Sequence, residues 1–97
     1  MSFKFKFVES PDRPIVRVYA NSVCTAKTPY DLRLTFGEVT GVEDSTIMVE
    51  NRAVATMSWS KIKVLINTLT AEVAAFEAIN GEIQIPSLSK TEEGTVN

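Results

Sequence analysis

The sequence predicts an α+β fold: a four-stranded antiparallel sheet in β-β-β-β-α order, with one long C-terminal helix packed on one sheet face in two layers. Three observations predict it. Residues 59–79 carry a helical apolar stripe in which Trp59, Ile62, Ile66, Leu69, Val73 and Phe76 recur at spacings of three and four. The segments before it alternate apolar and polar residues with period two, as half-buried strands do. The connections are short, which favours antiparallel neighbours. A stripe that wide must be covered, and the sheet is the element at hand to cover it.

The elements follow in order. Phe3, Phe5 and Phe7 alternate with Lys4 and Lys6, predicting a first strand. Pro11 and Pro14 bracket a turn at Asp12-Arg13. Residues 15–25 are rich in β-formers and predict a second strand, with Val16, Val18 and Ala20 on one face and Arg17, Tyr19 and Asn21 on the other. Lys27-Thr28-Pro29 interrupts it. Tyr30, Leu32, Leu34 and Phe36 then alternate with Asp31, Arg33 and Thr35 as a third strand. Two glycines among polar residues assign 37–45 to a hairpin loop. Residues 46–57 form the fourth strand, with a bend or bulge at Asn51-Arg52.

Ser58 is placed to cap the helix, although Lys61 at the third helical position makes no capping box. Asn80-Gly81 is a stop, because glycine accepts the left-handed backbone that a helix end needs. Twenty-one residues give a rod of about 31 Å. Residues 82–85 suit a short extended return. Domain organisation is therefore one α+β domain over 1–86 and a polar, flexible C-terminal tail over 87–97.

Composition narrows function mainly by exclusion. The 97 residues are 44% hydrophobic and 23% charged, as in an ordinary globular domain, and the formal net charge is −2. That balance gives no electrostatic case for nucleic acid or an anionic membrane. The chain contains no stretch of about 18 uncharged apolar residues, so no membrane span is expected. One cysteine, Cys24, cannot form an intramolecular disulfide, and a cytoplasmic protein is expected. The absence of histidine removes histidine-dependent triads and the commonest zinc ligand. The acids lack calcium-loop spacing, and the four glycines form no phosphate loop. The expectation is a non-enzyme with no catalytic residue, no metal and no cofactor. A catalytic reading would need a deep pocket around Tyr19, Asn21, Asp31 or Arg33.

Two surfaces remain. Val64, Asn67, Ala71, Ala74, Ala75 and Ala78 lie on the back of the helix, opposite the apolar stripe, and are assigned to an interface, because small side chains permit close approach. Tyr19, Asn21 and Arg33 are assigned to a ligand or peptide surface on the strands. The partners expected are a second copy of the chain, giving a homo-oligomer such as a homodimer, or another protein or peptide; nucleic acid and membrane are not expected. The function read from this is a homo-oligomeric protein-binding or adaptor module, with a chaperone-like role included. The alternative is a small structural or assembly component of a larger complex.

Four blocks carry a resemblance. These are Val18-Tyr19-Ala20-Asn21, the run from Thr28-Pro29-Tyr30-Asp31 through Leu32-Arg33-Leu34-Thr35-Phe36-Gly37, Met57-Ser58-Trp59-Ser60-Lys61, and Phe76-Glu77-Ala78-Ile79-Asn80-Gly81-Glu82-Ile83. In order and spacing the chain resembles the small bacterial family catalogued as domain of unknown function 3467. That family commonly has a histidine-alanine pair after the tryptophan block, where this chain has Ser60 and Lys61. The family has no assigned activity, so the resemblance implies no catalytic residues. In topology alone the element order is similar to SecB-type export chaperones, which pair subunits through sheets and helices and hold unfolded chains on apolar grooves.

Overall fold

The computed structural model describes residues 2–86. Its elements are β1 (Ser22–Lys27), β2 (Asp31–Glu43), β3 (Thr46–Ser58) and α1 (Trp59–Asn80). The strands form one antiparallel sheet in the order β1-β2-β3. The fold is thus α+β with a single C-terminal helix, but the sheet has three strands where the sequence predicts four. Predicted strand 3–7 enters no ladder, and Phe3, Phe5 and Phe7 are 77–91% exposed. Period-two alternation is a pattern for one covered face, and it yields a strand only where a neighbour supplies the hydrogen bonds.

Predicted strand 15–25 is shortened to β1, and the cause is local. The backbone N–H of Asn21 donates to the Gly37 carbonyl at 3.0 Å, and its side-chain Oδ1 accepts from the N–H of Val39 at 2.9 Å. A side chain thus takes the acceptor role that the strand's next carbonyl would hold. This is the local competition with a ladder that asparagine is suited to. The chain then leaves the sheet, so Tyr19 lies outside it. A turn forms one residue earlier than predicted, on Pro11-Asp12, between paired Ser10 and Arg13.

The predicted loop 37–45 is mostly strand. β2 runs on to Glu43, and the hairpin turns on Asp44 and Ser45 alone, with φ of 48° and 63°. Both central residues at positive φ make a tight primed turn, whose twist suits the two long strands. The glycines that suggested a loop instead mark irregularities in the register, between Phe36 and Gly37 and between Val39 and Gly41. A Cβ at Gly37 would stand 2.7 Å from Val49 Cγ1 and 2.9 Å from the Glu50 carbonyl oxygen, closer than any side chain can sit. Phe36 pairs with Ala53 and Gly37 with Asn51, so Arg52 is the extra residue, as the sequence predicted for Asn51-Arg52. Its guanidinium pairs with Glu38 at 3.1 Å and Glu50 at 3.2 Å.

Directly opposed residues share a face. Val23, Leu32, Leu34, Phe36, Ala53, Ala55 and Met57 therefore form one apolar, half-buried face; Cys24, Ala26, Arg33, Thr35, Val54 and Thr56 form the other. The helix ends where predicted: Gly81, at φ 85°, donates its N–H to the Glu77 carbonyl at 2.9 Å. Ser58 occupies the N-cap position with extended backbone but makes no side-chain capping bond. Residues 82–86 form no strand. The predicted tail 87–97 lies outside the described residues.

The largest correction concerns how the layers meet. The predicted packing of α1 along the sheet does not occur; the helix meets β2 and β3 at few points, and its one buried residue lies in its first turn. Ile62, 8% exposed, is the one buried apolar side chain among the described residues. Beyond it Ile66 is 56%, Leu69 54%, Val73 45% and Phe76 53% exposed. The strand feeds the helix with no intervening residue, since β3 ends at Ser58 and α1 begins at Trp59. With no linker to reposition the helix, the sheet covers its first turn and leaves the stripe of the later turns exposed.

Candidate interaction surface

The interaction surface begins at a fixed corner. Thr28 builds the β1–β2 turn: its Oγ1 accepts from the N–H groups of Tyr30 and Asp31, both at 3.1 Å, and donates to Asp31 Oδ1 at 2.8 Å. The Thr28 carbonyl is left to accept from Trp59 Nε1 at 3.0 Å. Trp59 therefore ties the first turn of α1 to that corner, a role the sequence reading, which counted it as stripe, did not assign. With Ile62 buried beside it, the helix has an anchored base.

From this base the helix presents two faces to solvent. One is the stripe of Ile66, Leu69, Val73 and Phe76, about half exposed along its length. A shallow, open hollow of about 380 Å³ lies on it, lined by Leu69, Thr70, Val73, Ala74 and Glu77. The other is the predicted interface of Val64, Asn67, Ala71, Ala74, Ala75 and Ala78, all exposed. The signal for the first face was in the sequence, where its large apolar residues were read as core.

The strand residues assigned to a ligand or peptide surface do not converge. Asn21 is engaged with Val39 at one end of the β1–β2 ladder. Arg33, opposite Ala26, lies near the other end, six residues along β2 from Val39, a span of roughly 20 Å. Tyr19 is 69% exposed on the irregular segment. Arg33 does border a hollow of about 200 Å³, which it shares with Cys24, Thr25, Ala26, Thr35 and Asn51. Cys24 is half-buried there and unpaired. Among the described residues, no three acidic or cysteine side chains gather as metal ligands. Among the described residues no helix is long and apolar enough to cross a membrane.

The model of the family described as protein of unknown function (DUF3467) matches residues 6–85, and the chain belongs to that family. No curated protein and no solved structure matches the chain.

Proposed function

We propose that this chain is a non-enzymatic protein-binding or adaptor module that works as a homo-oligomer. The observation that carries the reading is the uncovered stripe: four large apolar side chains, each 45–56% exposed, on the turns of the helix beyond its anchored base. Covering the exposed half of one such side chain stabilises by about 1 kcal/mol. Eight of them, four from each of two copies, give roughly 8 kcal/mol, which lies within the estimated 4–15 kcal/mol cost of association. A gain of the same size as the cost makes the assembly weak and concentration-dependent, and contacts beyond the stripe must add to it. Light scattering across a dilution series, with an apolar dye, tests this: the chain should self-associate and bind dye more as it dissociates. A strict monomer that binds no dye would end the reading.

A second reading, a structural or assembly component of a larger complex, is favoured by the sheet edge. The outer edge of the 13-residue β3 has no partner strand among the described residues, and an unpaired edge can accept an extended segment of another protein. Pull-down of one specific partner, without capture of unfolded chains, would select it. The chaperone-like variant rests on element order, which three strands and a helix match only in part. A reducing, cytoplasmic setting belongs to the proposal, in keeping with the unpaired Cys24.

A further inference from the structure

We infer that the occupant of the stripe is the same helix of a second copy, lying antiparallel. The inference rests on the self-association proposed above and adds its geometry. Trp59, Ile62, Ile66, Leu69, Val73, Phe76 and Asn80 follow a strict alternation of three and four, a seven-residue repeat whose exposed part, from Ile66 to Phe76, keeps one seam facing a partner helix. Along the exposed part, the β-branched Ile66 and Val73 alternate with Leu69 and Phe76. In the antiparallel register, Leu69 meets Val73 of the second copy, Ile66 meets its Phe76, and the two-fold axis passes between the paired Thr70 residues on one flank and the paired Glu72 residues on the other.

The charges beside the seam choose this direction. Lys63, Thr70 and Glu77 follow one another at seven-residue intervals along one flank. Antiparallel pairing sets Lys63 against Glu77 of the second copy, twice by symmetry, and Thr70 against itself. Both charged groups are available: Lys63 makes no ion pair among the described residues, and Glu77 uses one carboxylate oxygen to accept from the N–H of Ile83 at 2.8 Å. Parallel pairing would instead bring Glu72 against Glu77 on both sides and crowd two sheets at one end. The antiparallel register carries one like-charge approach, Glu72 to Glu72 across the axis, on the solvent-facing flank. It also places the two sheets at opposite ends of the rod, near the exposed Ile83 and Ile85 of the other copy.

Disulfide trapping and charge exchange in the full chain test the register. In a Cys24→Ser background, Thr70→Cys should give a covalent dimer on oxidation, whereas Thr68→Cys, on the outer side of the rod, should not. Lys63→Glu or Glu77→Lys alone should weaken the dimer about five- to tenfold, the effect of turning two modest attractions into repulsions. The double variant should restore it to within about threefold. A dimer that Thr70→Cys does not trap, and that ignores both charge changes, would overturn the antiparallel seam while leaving self-association standing. A monomer throughout would overturn both.

Discussion

The first turn of α1 and the turns that follow carry the same stripe and meet opposite fates. Ile62 is 8% exposed, and four residues on Ile66, with the same side chain on the same face, is 56% exposed. What differs is the neighbour. The first turn is held to the β1–β2 corner by the Trp59–Thr28 hydrogen bond, whereas the later turns have moved beyond the reach of the sheet. Amphipathic periodicity thus states that a face needs cover and does not state what covers it.

Substitution can break or sharpen that contrast. Ile62→Asp should have the largest effect, because it buries a charge at the base and should cost several kcal/mol, enough to unfold a domain of ordinary stability in a urea titration. Leu69→Asp, seven residues on, should leave the fold of the single chain in place and abolish assembly; loss of the far-UV helical signal in dilute protein would erase the distinction. Gly37→Ala acts in the sheet. Its Cβ meets the Glu50 backbone carbonyl as well as a side chain, so relief requires backbone movement, and about 1–3 kcal/mol should be lost in the same titration.

Trp59→Phe should come next, at about 1 kcal/mol, for the lost hydrogen bond to Thr28. Measured by hydrogen exchange, the loss should centre on the first helical turn and the β1–β2 turn. Ala74→Glu should have the smallest effect on folding. It lies on the alanine back, so unchanged assembly in light scattering would count against that face as an interface, and weakened assembly would restore it.

Much of the fold was legible in residue order because local rules decide it. The helix limits follow from the stripe and from Gly81, the third predicted strand from clean alternation, the fourth from its β-forming residues, and the Arg52 bulge from the polar Asn51-Arg52 pair inside an apolar run. The errors arose where a residue type has two uses. Gly37 and Gly41 served the register of a long hairpin instead of a loop. Asn21 ended a ladder with its side chain, which strand propensity does not encode. Phe3, Phe5 and Phe7 have a strand's pattern without a strand's neighbour. Of the surface residues, the alanine back is exposed in the single chain, and its assignment as an interface stays a proposal; Tyr19, Asn21 and Arg33 share a strand pattern and not a site.

The most direct measurement is sedimentation equilibrium of the wild-type chain and Leu69→Asp, with circular dichroism on the same samples. A wild-type dimer beside a helical, monomeric variant is the predicted result. A variant that loses its helix, or a wild-type chain that stays monomeric at every concentration, would mean that α1 finds its cover within its own fold.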